Sequence, residues 1–324
     1  MTNIIIFLVR AGRIDKVSYG HLFRCIKICE EIKKVNKIRP LFIINKNSYS
    51  KKILDRKKFQ SIQLAKFSKQ NILSKLKTIK AQKIIIDTYD FADNKFIQSL
   101  KKLNFQTILI DDLPQKNISA DIIYNYTIIN KIKKKYYNYK KLFFGTNFFL
   151  PVSFKKINKS KMKGILIFFG GSDVNNYSEK ILKYLIKLNL KIDVKLILGP
   201  GYKNSNYIKI KKINKSKFKI VKNVKNLEKE ILNYKLVIIS AGYTMYKSLF
   251  LNKICLIIPT SSHEKIIAMS IKKMKLGFVS NINFKDFKKN FKNALENKFL
   301  IKNTKKKIFK YFKKNYFHKF ISSI

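Results

Sequence analysis

Histidine is scarce in this chain, and one of the three histidines stands where it could serve as a base. His21, His263 and His318 are the only ones in 324 residues. His21 follows Gly20 in a turn that leads from a short apolar run into an amphipathic segment. An imidazole titrates near neutral pH, and the first turn of a helix presents N–H groups that attract anions. These residues indicate either a general base beside an anion site or a histidine that only begins a helix.

Acidic residues are concentrated in one region of an otherwise basic chain. Residues 81–130 hold six acids and five lysines, whereas the whole chain has 71 Lys and Arg against 18 Asp and Glu. Asp87 and Tyr89 end the apolar run KIIIDTY, where they could bind a substrate hydroxyl or orient a base, or where Asp87 could cap a turn. Asp111 and Asp112 follow the run TILI. The spacing does not require the paired carboxylates of a glycosidase.

Two turns rich in small residues follow apolar runs in the second half of the chain. The first reads GGSD at 170–173, and the second reads SAGYT at 240–244. Their backbone N–H groups could bind phosphate, or their small residues could allow a helix to pack closely on a strand. Neither turn has the lysine of a Walker motif or a full GxGxxG pattern. The residues of these two candidate anion-binding turns are Gly170, Gly171, Ser172, Asp173, Ser240, Ala241, Gly242 and Thr244. His263 and Glu264, in a later turn, could be cleft residues or ordinary surface residues.

Short apolar runs alternate with longer amphipathic segments along the chain. Runs without hydrophobic–polar alternation, separated by helical patterns, are typical of a parallel sheet covered on both faces. The pattern stops near Pro151 and restarts at Gly164. The sequence therefore predicts an α/β protein with two doubly wound Rossmann-like domains facing one another across a cleft, with ligands at the carboxyl ends of the strands. The predicted boundaries are 1–148 for the first domain, 149–163 for a linker, 164–302 for the second domain and 303–324 for a C-terminal helix packing back on the first domain.

The formal net charge of +53 is the most unusual property of the composition. Taken alone, it would indicate nucleic acid or an anionic membrane as a partner. The lysines are spread over almost every predicted surface helix, so we interpret most of them as filling solvent positions and expect no specific nucleic acid, with weak association with an anionic membrane as an alternative. The three cysteines form no disulfide or zinc pattern, and no run of eighteen apolar residues occurs. A cytoplasmic protein is expected.

Several of these segments occur in the order found in one enzyme family. Arg10, the Gly20-His21-x-x-Arg24 segment, IIIDTY, IDD, GGSD and SAGYTMY follow one another between about residue 4 and about residue 280. In this respect the chain resembles the hydrolase of pseudaminic acid biosynthesis, which cleaves UDP-2,4-diacetamido-2,4,6-trideoxy-altropyranose. That family is itself similar to the peptidoglycan UDP-N-acetylglucosamine transferase and to spore-coat polysaccharide proteins.

The resemblance implies a GT-B architecture, with the nucleotide held mainly by the second domain and the sugar facing the first. It implies that His21 is the general base for a water that attacks the anomeric carbon, with Tyr89 and Asp87 beside it. Hydrolysis then releases UDP and inverts the anomeric centre, with no metal and no other cofactor. The residues implied in substrate or nucleotide binding are Arg10, Gly20, Arg24, Gly170, Gly171, Ser172, Asp173, Ser240, Ala241, Gly242, Thr244, Lys247, His263 and Glu264.

Four features of the sequence depart from the family's pattern. Ser18 replaces the first glycine of Gly-x-Gly-His, Gly12 stands where an aspartate is common, and His263-Glu264 replaces a frequent Asn-Gln pair. Lys247 stands where related enzymes usually have a glutamate that accepts hydrogen bonds from both ribose hydroxyls. An ammonium group has three donors and no acceptor. Either the ribose is held differently, or Lys247 binds a phosphate, or nucleotide binding is weaker.

Two other functions fit the same residues. A glycosyltransferase on this scaffold would use His21 to deprotonate a sugar hydroxyl in place of water. A non-catalytic GT-B-like binding protein that has lost its ribose carboxylate would use the scaffold for assembly. The joint presence of His21, Arg24, Asp87 and Tyr89 favours an enzyme over a decayed scaffold.

Overall fold

The protein forms two compact units. The computed structural model describes residues 3–10, 12, 19–88, 93–112, 118–129, 139–150, 164–214 and 218–324. Of these, the first unit takes in the residues up to Leu150 and those from Asn315 onward, and the second takes in residues 164–314. Each unit contains its own parallel β-sheet.

Within its described residues, the first unit carries seven strands and four helices before its C-terminal part. The strands are β1 (Asn3–Val9), β2 (Ile38–Asn45), β3 (Gln60–Leu64), β4 (Lys83–Asp87), β5 (Gln106–Ile110), β6 (Ile122–Asn125) and β7 (Lys141–Phe144). The helices are α1 (Gly20–Val35), α2 (Ser48–Arg56), α3 (Lys69–Lys77) and α4 (Asn94–Lys102), and a 3-10 turn covers Thr146–Phe148.

The second unit repeats this alternation with six strands and seven helices in the described residues. The strands are β8 (Ile165–Phe168), β9 (Val194–Leu198), β10 (Lys219–Lys222), β11 (Leu236–Ile239), β12 (Ile254–Ile257) and β13 (Phe278–Val279). The helices are α5 (Tyr177–Lys187), α6 (Asn204–Asn214), α7 (Leu227–Asn233), α8 (Tyr243–Phe250), α9 (Ser262–Met274), α10 (Phe284–Glu296) and α11 (Lys298–Phe312).

Both sheets are doubly wound, with all of their strand pairs parallel. The first has the order β3-β2-β1-β4-β5-β6-β7, and the second has the order β10-β9-β8-β11-β12-β13. In each sheet the chain first builds outward on one side of the first strand and then crosses to the other side. The winding therefore reverses between β1 and β4 and again between β8 and β11, and such reversals leave a crevice at the carboxyl ends of the two strands.

Apolar runs become the central strands because both faces of a parallel sheet are covered. β1 reads NIIIFLV, and Ile6 and Phe7 within it are fully buried. Burying a side chain of this size contributes roughly 1.5–3 kcal/mol. The edge strand β3 instead reads QSIQL and is partly exposed. In the second unit, Ile167, Leu196 and Ile238 from adjacent strands lie in one fully or nearly fully buried core with Phe287 of α10.

The C-terminal segment is divided between the two units. Residues 303–314 belong to the second unit, within and just after α11, and the chain joins the first unit from Asn315. The final helix, α12 (Phe317–Ile321), stacks Phe320 on Tyr124 with ring centroids 4.2 Å apart. The sequence predicts one C-terminal helix within 303–324, but the structure has a break at 313–316. There the Asn315 side chain donates to the carbonyl of Phe149 (2.7 Å) and accepts from the Phe317 N–H (3.1 Å).

None of the described helices has the length and hydrophobicity that a bilayer-spanning segment needs.

Candidate functional site

The winding reversal of the first sheet brings together residues that are far apart in the sequence. His21 is the second residue of α1, which follows β1, and Asp87 is the last residue of β4. β1 and β4 are paired, with Val9 opposite Asp87. The fold therefore positions a helix start and a strand end side by side at the carboxyl edge of the sheet.

His21, Arg24 and Asp87 form a buried hydrogen-bonded cluster at this edge. The Nδ1 atom of His21 lies 2.5 Å from Oδ1 of Asp87. Arg24, one helical turn after His21, donates from Nε to Oδ2 and from Nη2 to Oδ1 of the same carboxylate, both at 2.6 Å. The side chain of Asp87 is fully buried, and those of Arg24 and His21 are 3% and 11% exposed. A bidentate arginine–carboxylate pair of this kind fixes geometry as well as charge.

The charges of this cluster determine the protonation of Asp87. Burial alone would raise the pKa of the carboxyl, but the positive charge of Arg24, with a further contribution from His21, outweighs it and holds the pKa well below its usual range. Burial alone would lower the pKa of the Arg24 guanidinium. The negative charges of Asp112 and Asp87 outweigh this effect, so the pKa of Arg24 lies above its ordinary value. Both groups are therefore charged at every pH at which the protein would be used.

An ionised Asp87 fixes the tautomer of His21. A carboxylate only accepts hydrogen bonds, so the ring nitrogen facing it carries a proton. The proton therefore lies on Nδ1, and Nε2 holds the lone pair that can accept a proton. Arg24 Nη2 is 3.0 Å from Nδ1 because both nitrogens donate to the same oxygen of Asp87. This arrangement can act as a general base and then compensates the imidazolium that forms.

The cluster contains two further residues, Asp112 and Tyr126, which were not assigned to the site from the sequence. Asp112, just beyond β5, accepts from Arg24 Nη1 at 2.6 Å, and Tyr126, just beyond β6, accepts from the same nitrogen at 2.5 Å. The Arg24 guanidinium also lies over the Tyr126 ring, 5.5 Å from its centroid. Burial would raise the pKa of Asp112, but the charge of Arg24 lowers it. Asp112 and Tyr126 each stand just after an apolar run, and that position is the sequence signal that could have identified them.

The other predicted residues of the first unit lie around this edge. Arg10 follows β1, donates its backbone N–H to the Asp87 carbonyl at 3.4 Å, and places its guanidinium over Phe67. Gly20 is the first residue of α1, and a Cβ there would meet nothing within 4 Å. Tyr89 lies outside the described residues, so its assignment stays a prediction.

Gly12, one of the four departures, sits in a confined turn. Its φ is +71°, and a Cβ there would lie 2.5 Å from the Tyr19 ring and 2.7 Å from the Asn47 amide. The Asn47 amide in turn donates to the Gly12 carbonyl at 2.8 Å. An aspartate, common at this position in the resembling family, would not fit this turn.

In the second unit, the glycine turn after β8 packs against the glycine turn after β9. A Cβ on Gly199 would lie 2.3 Å from the Gly171 carbonyl oxygen and 2.4 Å from that of Gly170. Gly201 donates its N–H to the Gly171 carbonyl at 2.8 Å. Gly170 has a φ of +82°, which favours glycine. The shape of the predicted anion-binding turn thus depends on glycines from a neighbouring strand end.

Ser172 and Asp173 complete this turn in different ways. Ser172 is buried, and its hydroxyl lies 2.7 Å from the place that a Cβ on Gly201 would take. Asp173 accepts the N–H of Tyr177 at 2.9 Å and that of Ser178 at 2.8 Å, so its carboxylate caps the start of α5. Burial raises the pKa of Asp173 although these hydrogen bonds oppose it. Contact of either residue with a nucleotide stays a prediction.

The turn after β11 already holds a carboxylate of the protein itself. Glu264, from the first turn of α9, accepts hydrogen bonds from the Ala241 N–H and the Ser240 hydroxyl, and from Thr260 at 2.7 Å (N–H) and 2.8 Å (hydroxyl). Burial raises its pKa, and the hydrogen bonds oppose that rise. Gly242 caps α8, in which Thr244 is the second residue. Met245, the third residue of α8, donates its N–H to the Gly242 carbonyl at 3.0 Å, and binding of an anion by this turn stays a prediction.

Lys247 forms an ion pair with a glutamate from the preceding helix. Its ammonium bonds Glu228, in the first turn of α7, and lies 4.9 Å from the Tyr243 ring centroid. The side chains of Lys247 and Glu228 are 16% and 28% exposed. The departure at Lys247 thus comes with a carboxylate beside it. His263, the second residue of α9, is partly buried.

Across the described ranges, no group of three or more His, Cys, Asp or Glu side chains is arranged to hold a metal ion.

The sequence of the chain has been compared with family models and with curated proteins. No protein-family model matches the chain. The protein named uncharacterized protein MJ1062 of Methanocaldococcus jannaschii is 28% identical over 263 residues, which are 76% of this chain and 54% of that protein. The chain therefore spans about half the length of this curated relative.

Solved structures resemble the chain over nearly its whole length at low identity. Acinetobacter baumannii MurG has a TM-score of 0.66 at 10% identity and covers 99% of this chain and 98% of its own. Phytolacca americana UGT2, complexed with UDP-2fluoro-glucose and pterostilbene, has a TM-score of 0.68 at 9% identity with the same coverage. S. aureus MnaA in its UDP co-structure has a TM-score of 0.62 at 10% identity, covering 94% and 91%. The chain has the GT-B fold, and the predicted fold class is confirmed.

Proposed function

We propose that this GT-B protein is a hydrolase of a UDP-linked sugar. His21 is the general base, the glycine turns and the start of α8 in the second unit bind the diphosphate, and the products are UDP and a free sugar with inverted anomeric configuration. The observation that carries this proposal is the His21–Asp87–Arg24 cluster, in which an ionised buried carboxylate holds the proton of His21 on Nδ1.

The reaction uses one water and one imidazole. The water oxygen attacks the anomeric carbon while its proton passes to Nε2 of His21. The bond between the anomeric carbon and the diphosphate oxygen breaks, and its electron pair leaves with UDP. Donors directed at the diphosphate stabilise the charge that develops on this leaving group. Atoms and charges balance as UDP-sugar and water giving UDP, sugar and one proton.

The substrate class follows from the resemblance in the sequence, which points to UDP-2,4-diacetamido-2,4,6-trideoxy-altropyranose. The order and spacing of Gly20-His21-x-x-Arg24, IIIDTY and SAGYTMY support an acetamido-trideoxy sugar of this kind. Fold similarity to glycosyltransferases supports a second candidate, in which His21 deprotonates an acceptor hydroxyl in place of water.

We propose that Glu228 supplies the ribose acceptor that Lys247 lacks. A carboxylate accepts several hydrogen bonds, so Glu228 can pair with Lys247 and also accept from vicinal hydroxyls. Lys247 then positions this carboxylate, which belongs to α7, whereas the glutamate of related enzymes would stand at the Lys247 position on α8. With this assignment, Lys247 is compatible with UDP as the nucleotide.

The experiment is release of UDP from a panel of UDP- and CMP-linked acetamido sugars by the purified protein without an acceptor. Release from a UDP-acetamido-trideoxy sugar, with the inverted anomer appearing first by proton NMR, is the expected result. Release only after a sugar acceptor is added would replace the hydrolase with the transferase. No release, together with no UDP binding in calorimetry, would overturn both and leave a binding protein.

A further inference from the structure

Helix α11 packs one side against the rest of the second unit and exposes the opposite side to solvent. Thr304, Ile308 and Phe312 are buried, and the helix contacts α8, α10 and β12. These positions recur at the helical spacing of four residues, so they define the inner face. The outer face contains Phe299 together with Lys302, Lys306, Lys310 and Lys313.

Large apolar side chains flank or occupy this outer face. Phe299 is 72% exposed and Phe309 is 56% exposed, and Leu300 and Tyr311 are each 37% exposed. The two phenylalanines are ten residues apart, which is about 15 Å along a helix. Single exposed apolar residues need no explanation, but several along one helix indicate an interaction surface.

The charge of this surface has one sign. Residues 298–314 contain eight lysines and no aspartate or glutamate. Helix α1, by contrast, pairs Lys27 and Lys34 with glutamates of the same helix. The lysines are Lys298, Lys302, Lys305, Lys306, Lys307, Lys310, Lys313 and Lys314.

We propose that the outer face of α11 binds the surface of an anionic lipid bilayer. Lysines attract the headgroups, each contributing to binding near a negatively charged surface, while Phe299 and Phe309 enter the boundary between headgroups and acyl chains. Protein interfaces are depleted in lysine, which disfavours a protein partner. Binding to a phosphate backbone would use the lysines but would give the exposed phenylalanines no apolar environment.

The experiment measures binding of the full chain to vesicles of phosphatidylcholine alone and of phosphatidylcholine with phosphatidylglycerol. The variant Lys302→Gln/Lys306→Gln/Lys310→Gln is expected to lose affinity for the anionic vesicles by roughly a hundred-fold. Phe299→Ser/Phe309→Ser is expected to lose about ten-fold or more, because the apolar contribution is removed. The control Lys77→Gln/Lys80→Gln/Lys102→Gln makes the same charge change on exposed lysines of the first unit and is expected to bind almost as well as the parent.

Three results would overturn the proposal. Equal losses in the two lysine variants would show diffuse attraction to the total charge. Equal binding to both kinds of vesicle would show that headgroup charge is not recognised. Binding of a duplex oligonucleotide that is lost in the α11 variants, without binding to vesicles, would assign the surface to nucleic acid. All variants change exposed side chains, and an unchanged melting temperature confirms that each is folded.

Discussion

The Nδ1 atom of His21 lies 2.5 Å from Oδ1 of Asp87, and Arg24 donates to that same oxygen at 2.6 Å. One carboxylate oxygen therefore accepts from both the guanidinium of Arg24 and the imidazole of His21. Arg24 keeps Asp87 ionised, and Asp87 keeps the proton of His21 on Nδ1. Each step of the proposed chemistry depends on this relationship, since a base is useful only when its lone pair is on the nitrogen that meets the water.

Replacing Asp87 with asparagine tests that dependence. The amide keeps the shape of the carboxylate but loses its charge, so the tautomer of His21 is no longer fixed and Arg24 loses its bidentate partner. We expect turnover to fall by about 10²–10⁴-fold and the free energy of unfolding to fall by about 3 kcal/mol. UDP release and urea denaturation measure the two effects. The control Asp55→Asn removes an exposed acid that pairs with Lys51, and should change stability by no more than about 0.5 kcal/mol.

The stability difference between the parent and Asp87→Asn should depend on pH. The pKa of Asp87 is lower in the folded than in the unfolded protein, so its stabilising contribution is complete above the unfolded carboxyl pKa of about 3.9 and is lost as pH falls through the folded value. The stability difference between the parent and Asp87→Asn should thus be constant near neutral pH and shrink only in strong acid. A difference that already disappears above pH of about 5 would contradict the ionised cluster.

Glu228 is predicted to recognise the ribose. Glu228→Gln removes the charge that accepts from the hydroxyls, so the dissociation constant of UDP should rise by about ten- to a hundred-fold. The parent should prefer UDP over 2′-deoxyuridine diphosphate, and the variant should lose that preference. Calorimetry measures both ligands. Glu230→Gln is the matched control, because Glu230 lies on the same helix but pairs with Lys195. The assignment would be refuted if Glu230→Gln lost the preference for UDP, or if Glu228→Gln kept it.

Gly199 is predicted to be irreplaceable for a structural reason. The methyl group of Gly199→Ala would meet two backbone carbonyl oxygens at 2.3 and 2.4 Å, so the Gly170–Gly171 turn must move. We expect a loss of about 1–3 kcal/mol in the free energy of unfolding and weaker UDP binding. Gly20→Ala is the comparison for stability, because a Cβ there has open space, and it should be neutral or stabilising. Equal stability of the two variants would contradict the packing of the two turns.

Lys253 is predicted to make stability rise with pH in the alkaline range. Its ammonium is buried, donates to the carbonyls of Leu232 (2.6 Å) and Tyr234 (3.1 Å), and has its pKa lowered to about 8 by burial and then by the charge of Lys305. Between pH of about 8 and the unfolded pKa of about 10.4, the unfolded chain binds the extra proton, so stability increases with pH.

The variant Lys253→Met removes this proton, so the stability of the parent relative to the variant should increase over that pH range. Urea denaturation at several pH values measures it, with Lys235→Met as an exposed control that shows no such trend. A flat difference across the range would show that the lysine keeps an ordinary pKa.

Much of the fold could be predicted because central strands of a parallel sheet are continuous apolar runs. The apolar run before His21 forms β1 (Asn3–Val9), and the run that contains Asp87 forms β4, in which Asp87 is the last residue. β3 was missed, because an edge strand reading QSIQL has one partly solvated side and no apolar run. The break at 313–316 was missed because it depends on Asn315 bonding a carbonyl some 166 residues earlier in the chain.

The candidate site could be predicted only in part. The rule that ligands bind at carboxyl ends of strands located His21 and Asp87, but the pairing of Arg24 with Asp112 and Tyr126 joins residues 88 and 102 positions apart. No local pattern records such a contact. The hydrogen bonds from the 240–241 turn to Glu264 likewise depend on two helix starts meeting beyond neighbouring strands.

The measurement that tests the central claim most directly is UDP release by His21→Ala, with His318→Ala as the control that removes an exposed histidine of α12. We predict that His21→Ala lowers turnover by about 10²–10⁴-fold while UDP affinity stays within a few-fold, because a general base contributes to the rate and little to ground-state binding. His318→Ala should behave as the parent. Turnover by His21→Ala at the parent's rate would contradict the assignment of His21 as the base.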